Sequence, residues 1–266
     1  MIVEILLADS LRSACSSPLL SQASDYALKP NVILLVLLDG TARLLDLDGH
    51  FCAISATGAL ILTETLKLGS TTAVNRLVSE YGVQLSQAQE DVERFLKSLE
   101  TRGVIYSSEG SVPQNKHIIS DLSLLLTPML QCIGTLPLSL KRQAWLILAL
   151  AYLSTRLFGW SRTITAWKTH RHEVSTHESQ QEIDSIVKAV DLAVREAAAH
   201  HLLNVECKER ALCSWWMAKE AGIPARLTLG VAFFPLTSHC WCEVNSDILA
   251  DEPERSESCT QFLTYT

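Results

Sequence analysis

The chain has 266 residues, 48% of them apolar, and a formal net charge of −7. That length suits two small domains or one large one, and the apolar share excludes wholesale disorder. The acidic balance excludes the basic stripe on which nucleic-acid binding depends, so no nucleic-acid partner is expected.

Eight cysteines are scattered with no Cys-x-x-Cys pair. The opening MIVEILLADSLRSACSS places an acidic residue at position 4 and has no basic stretch, a poor secretory signal. Free thiols in a reducing cytoplasm are therefore expected, without a disulfide framework. Two uncharged stretches imitate membrane segments. Leu122–Leu140 is interrupted by Pro128, Gly134 and Pro137, and Gln143–Thr155 is only about two-thirds of a membrane span. Buried or interfacial helices are expected there, and no transmembrane segment.

In chain order, the first thirty residues read as an edge strand followed by a poorly ordered arm. Val32–Leu38, Ala42–Leu47 and Phe51–Ile54 are strand-like, with turn signals at Asp39-Gly40 and Asp48-Gly49. Ser55 is placed to cap a helix through Lys67, and Ser70 starts another that stops at Gly82. Ser86 with Gln89 forms a capping-box pattern for a third helix, which runs to Arg102 before Gly103. The unit reads βββααα and closes near Tyr106. Ser107–Lys116 has the composition of a linker, which sets expected domains at 1–110 and 115–266.

Helices are expected from Ile118 to about Trp167, in two or three pieces. A polar connection with His170, His172 and His177 follows, and then an amphipathic helix over Ile183–Ala199. A helix over Val205–Ala221 precedes three strand-like segments, Ala225–Phe233, His239–Val244 and Asp247–Ala250. The fold class is α+β.

The last part of the chain carries a constellation. Asn204 is a good N-cap, which puts Cys207 in the first helical turn. Unpaired N–H groups and the helix dipole there favour the thiolate, the nucleophilic form, and suit a developing oxyanion. Cys213, six residues on, lies on another helical face. In a strand, His239, Trp241 and Glu243 share one face and Cys240, Cys242 and Val244 the other. Trp241 thus stands beside His239, and the two thiols belong to core packing, not to a metal site. A hairpin centred on Asn245-Ser246 brings Asp251 within about a residue of being opposite His239, where its carboxylate would fix the imidazole tautomer. Cys207, His239 and Asp251 together have the logic of a triad. No metal is expected, and no phosphate loop or other cofactor motif occurs.

The segment CKERALCSWWMAKEAGIPARLTLGVAFFPLTSHCWCEVNSDILADEP closely resembles the leader peptidases of lasso-peptide biosynthesis, the B proteins, which are transglutaminase-like cysteine enzymes. The resemblance implies Cys207 as nucleophile, His239 as base and Asp251 as third member. It departs at Cys240 and Cys242, where the family usually has Ala or Ser and Val. Residues 32–106 resemble a PqqD-like, winged-helix precursor-peptide recognition domain. Such domains bind a leader peptide as an added strand against the third strand and third helix. The resemblance implies a groove between His50–Ile54 and Ser86–Arg102, with Phe51, Ile54, Val92 and Phe95 as leader-binding residues. The implied architecture is a winged-helix-like recognition domain, a helical layer and a papain/transglutaminase-like catalytic domain. The implied partners are a precursor peptide and an ATP-dependent, asparagine-synthetase-like cyclase that closes the ring. Two other classes stay open: a transglutaminase-type acyl transferase, and a non-catalytic leader-binding scaffold.

Overall fold

A computed structural model describes residues 2–7, 24–47, 51–107, 116–169, 179–233 and 235–266. The Asp48-Gly49 turn, the linker interior and the three histidines between 170 and 178 lie outside the described residues, as does the arm at 8–23. The chain divides into two compact units, Met1–Asn115 and Lys116–Thr266. The fold class is α+β, as read from the sequence.

In the first unit, β1 (Ile2–Leu7), β3 (Val32–Leu37), β4 (Ala42–Asp46) and β5 (Phe51–Ile54) form an antiparallel sheet in the order β1-β3-β4-β5. Central strand β3 is a continuous apolar run because both its faces are buried, with Ile33, Leu34 and Leu35 at 0% exposure. The Asp39-Gly40 turn forms as expected. Gly40 takes φ 78°, and the Asp39 carboxylate accepts from the Thr41 N–H at 2.9 Å. β2 (Tyr26–Leu28) pairs with β6 (Ile105–Ser107), a two-stranded ladder that three-residue strands do not announce.

Three helices complete the unit: α1 (Ala56–Leu68), α2 (Ser70–Tyr81) and α3 (Leu85–Thr101). Ser55 caps α1 by accepting from the Gly58 N–H at 3.3 Å, and Gly82 ends α2 in the left-handed conformation. The expected Ser86–Gln89 capping box does not form. α3 begins at Leu85 behind Gln84, which makes no side-chain cap bond, so Ser86 is already inside the helix. Leu34, Leu44, Ile54, Leu62, Leu77, Val92, Leu96 and Ile105 meet in one hydrophobic core.

The second unit opens with α4 (Lys116–Thr135), α5 (Leu140–Phe158), α6 (Trp160–Thr169) and α7 (Gln180–Ala199). Pro128 lies inside α4 and does not interrupt it. α8 (Cys207–Glu220) packs against α5, α7, β7 (Arg226–Phe233) and β8 (Leu236–Val244). Its residues Ala211–Ala218 are buried without interruption, which explains why CKERALCSWWMAKE shows no amphipathic stripe: the helix is enclosed on all sides. The sheet is antiparallel in the order β10-β7-β8-β9, with β9 at Asp247–Leu249. The edge strand β10 (Thr260–Tyr265) and the short α9 (Pro253–Glu257) were not expected from the sequence. Among the described residues, no helix is long and apolar enough to cross a membrane.

Candidate active site

α8 begins at Cys207 because its N-terminus is closed by two glutamates. Glu206 occupies the N-cap, and the Glu209 carboxylate reaches back to accept the Glu206 backbone N–H at 2.8 Å. The sequence points to Asn204 as the cap; the start lies two residues later, and Cys207 is the first helical residue. Glu209 is a buried acid, 2% exposed, and its other oxygen accepts from the Thr155 hydroxyl at 3.3 Å. This tie fixes the mouth of α8 against α5. The Glu206-x-x-Glu209 spacing is the signal that the preference for Asn obscures.

His239 enters from β8. The ladder pairs it with Gly230 of β7, and no side chain fits at Gly230. A Cβ there would lie 2.9 Å from Cη2 of Trp241 and 2.9 Å from Cβ of Cys259. The missing side chain lets Trp241 lie close on β7, and from there its indole stacks on the imidazole with ring centroids 6.0 Å apart. Cys240 and Cys242 point the other way and are buried at 1% and 0%. Burial pushes both thiols up, and it does the same to Cys213, so all three stay protonated and inert. Cys207 is the half-buried thiol at the head of the helix.

Asp251 arrives by the hairpin. β8 and β9 pair Val244 with Asp247 and Cys242 with Leu249. Asn245 and Ser246 form the tight turn, both with positive φ. Pairing ends at Leu249, and Ala250 takes φ 56°, a left-handed conformation unusual for a residue with a Cβ. Chain direction changes there, and the Asp251 carboxylate comes to Nε2 of His239 at 2.5 Å. With His239 protonated the contact is an ion pair. The side chains of His239 and Asp251 are 10% and 5% exposed, so solvent screens the pair little. The Cys207 thiol is the other group that acts on the imidazole.

The electrostatics follow from these contacts. Burial alone would lower the imidazole, but the Asp251 carboxylate and the Cys207 thiol outweigh it and push His239 up to about 9. Burial alone would raise Asp251. The His239 contact, the Glu252 N–H and Arg210 together hold it below the usual carboxylate range. Arg210 of α8 reaches both the second Asp251 oxygen, at 3.7 Å, and the Ala250 carbonyl, at 3.2 Å. Glu252, which with Glu254 is one of two other acids in the segment, instead pairs with Arg255 at the surface. A thiol, an imidazole that holds a proton near neutrality and a carboxylate that favours imidazolium thus lie together, groups of the kind that acyl transfer through sulfur requires. A cleft of about 560 Å³ lies beside the hairpin between Asp191, Trp241, Glu243, Ile248 and Pro253, but none of the three aligned residues lines it.

In the first unit, β5 pairs with β4 on one side and ends the sheet. Of the four residues expected at the leader groove, Phe51 is 37% exposed and Phe95 is half-buried. Ile54 and Val92 are core residues, at 6% and 2%. Their side chains hold the sheet to the helices and do not face a groove, because alternation along β5 turns Cys52 and Ile54 inward and Phe51 and Ala53 outward. A Cβ at Gly58 would lie 2.7 Å from Ile54 and 3.1 Å from the Phe95 ring, so these side chains lock α1 between β5 and α3.

Comparison with known families finds two matches. Residues 35–105 match the model of coenzyme PQQ synthesis protein D (PqqD), and residues 146–264 match that of the transglutaminase-like superfamily. No match was found among curated proteins or solved structures. A PqqD domain binds peptides, and the transglutaminase-like fold is that of cysteine proteases and acyltransferases, so this chain joins a peptide-binding domain to a cysteine-enzyme fold. The two matches lie in the order that the sequence resemblance implied, PqqD first and transglutaminase-like second.

Proposed function

We propose that this protein is a cysteine peptidase that binds the leader of a ribosomally made precursor peptide and cleaves it off. The product is a core peptide with a free N-terminal amine, the group that a separate ATP-dependent, asparagine-synthetase-like cyclase would join to an acidic side chain of the core. The observation that carries the reading is the His239 ring held between the Cys207 thiol and the Asp251 carboxylate. The free thiols suit a cytoplasmic enzyme.

Cys207 is the nucleophile, His239 the acid and base, and Asp251 the orienting carboxylate. The proton given up by Cys207 rests on His239, whose surroundings favour imidazolium. The thiolate attacks the carbonyl carbon of the last leader residue. Peptide N–H groups in the first turn of α8 stabilise the oxyanion. As the C–N bond breaks, His239 passes its proton to the departing amine. Water then attacks the thioester, His239 takes the water's proton, and the leader leaves with a free carboxylate while the thiol is regained. Trp241 against the imidazole keeps water from that side of the ring. The leader itself adds as a strand along the edge of β5, with Phe51 on its exposed face and Phe95 of α3 nearby.

The test is the full chain with a short candidate precursor peptide taken from the neighbouring reading frames. Mass spectrometry should find separate leader and core with the native chain, and intact precursor with Cys207→Ala. Fluorescence anisotropy should find leader binding unchanged in that variant. Normal turnover by Cys207→Ala would sink the assignment of the nucleophile. A product in which glutamine is joined to an added amine would replace the peptidase by an acyl transferase.

A further inference from the structure

Ala250 has no glycine's freedom, yet it holds φ 56° and is fully buried. It also lies beyond the β8–β9 ladder, so its peptide groups have no strand partner. Charged side chains from two helices take them instead. The Ala250 N–H donates to Oδ1 of Asp191 at 2.6 Å. The Ala250 carbonyl accepts from Nη1 of Arg210 at 3.2 Å. The next carbonyl, that of Asp251, accepts from Nη2 of Arg195 at 2.6 Å.

Asp191 and Arg195 are four residues apart on α7. Nε of Arg195 donates to both Asp191 oxygens, at 3.0 and 2.9 Å. Viewed on the helix alone, this is an ordinary surface pair of the kind that contributes little. Its outer ends make it different. One oxygen of Asp191 grips the residue before Asp251, and the far end of Arg195 grips Asp251 itself. The pair spans the peptide whose twist decides where the carboxylate points.

We propose that Asp191 and Arg195 are positioning residues: they hold Ala250 in its left-handed conformation and thereby aim the Asp251 carboxylate at His239. Their catalytic consequence rests on the peptidase reading; their geometric consequence does not. A released Ala250 relaxes to negative φ, which swings the following side chain away from the imidazole. Displacements of about 1 Å at such a contact are enough to slow chemistry strongly. The titratable groups acting on the imidazole are Cys207 from α8 and Asp251 after β9, with Arg210 of α8 on the far carboxylate oxygen and the Cys259 thiol, before β10, close enough to feel both Cys207 and Asp251. Asp191 and Arg195 touch none of the reacting atoms and act through the backbone.

The experiment uses the full chain, with histidine labelled by nitrogen-15 and the His239 signal identified by its loss in His239→Gln. In Asp191→Ala the His239 titration should move down from about 9 toward the ordinary histidine range. Cleavage should lose about tenfold or more in kcat with KM for the precursor unchanged. Asp191→Asn keeps an oxygen for the Ala250 N–H and loses only the charge, so its effects should be smaller. Ala250→Gly adopts the left-handed conformation without help, so adding Asp191→Ala to it should cost less than adding it to the native chain. A folded Asp191→Ala with unchanged His239 titration and unchanged kcat, and only a lower melting temperature, overturns the proposal. If Asp191→Ala does not fold, Arg195→Gln takes its place: a lowered His239 titration and kcat support the proposal, and native values of both overturn it. A native chain that cleaves no precursor counts against the peptidase reading alone, because the titration still decides the positioning.

Discussion

The imidazole of His239 lies between a thiol and a carboxylate, and both favour its protonated form. Asp251→Asn keeps the shape and removes the charge. In a serine-protease triad the equivalent change costs about 10⁴ in kcat. A cysteine enzyme depends less on the third member because its thiolate forms more readily, so about two to three decades are expected here. Leader affinity should change little, since the loss falls on the transition state. Steady-state cleavage by Asp251→Asn, Glu252→Gln and Glu254→Gln side by side checks this, and a large loss in a glutamate variant alone would reassign the role. The same pair sets a pH window for stability. His239 is raised from 6.5 to about 9, so its contribution is complete below pH 6.5 and is lost as pH rises through 9. Asp251 is lowered from 3.8, so its contribution is present above 3.8 and is lost as pH falls through its lowered value. The melting-temperature gap between the native chain and Asp251→Asn should therefore be wide at pH 6 and narrow at pH 10. A gap that is flat over that range would mean the ion pair contributes nothing to folding.

At the scale of elements, the β7–β8–β9 meander delivers the base and the carboxylate, and Gly230 is its tightest point. Gly230→Ala adds a methyl within 2.9 Å of both Trp241 and Cys259, so the indole has to move. Overpacking of this kind costs about 1–3 kcal/mol. Because Trp241 stacks on His239, kcat should fall along with the melting temperature. Thermal unfolding and cleavage assays check this, and native values in both would show that the strands open freely at this point. Much of the meander is legible in the sequence: alternation puts His239 and Trp241 on one face, and Asn245-Ser246 marks the turn. Ala250 is not, because nothing about alanine announces a left-handed backbone; that conformation is imposed by Asp191, Arg210 and Arg195 from other elements. The cap of α8 is hidden for a related reason. Local preference favours Asn204, while the buried tie from Glu209 to Thr155 fixes the start two residues later. β10 escapes notice because its partner, β7, lies some thirty residues earlier, and pairing at that distance leaves no local signature.

At the scale of the whole molecule, each unit has the parts its proposed task needs. Among the described residues, the core of the first unit runs from Leu6 to Ile105. Its sheet ends in β5, a strand paired on one side only, where a peptide can add. Cys207, His239 and Asp251 all belong to the second unit. Binding and chemistry should therefore separate when the chain is cut in the linker. A fragment of residues 1–110 should fold and bind the leader with the affinity of the full chain. A fragment from residue 115 onward should keep a thiol at Cys207 that reacts with iodoacetamide near neutral pH, yet process the precursor poorly. Its defect should be in KM, because the acyl-transfer residues are intact and only the capture of substrate is gone. At saturating precursor its rate should approach that of the full chain. Adding the 1–110 fragment separately should restore little, since the two tasks then lose the effective concentration that one covalent chain provides. Anisotropy on labelled leader measures the first half of this prediction, and cleavage kinetics over a range of precursor concentrations measure the second. If the C-terminal fragment alone bound leader as tightly as the full chain, the PqqD domain would not be the recognition element, and the leader site would have to lie on the catalytic unit.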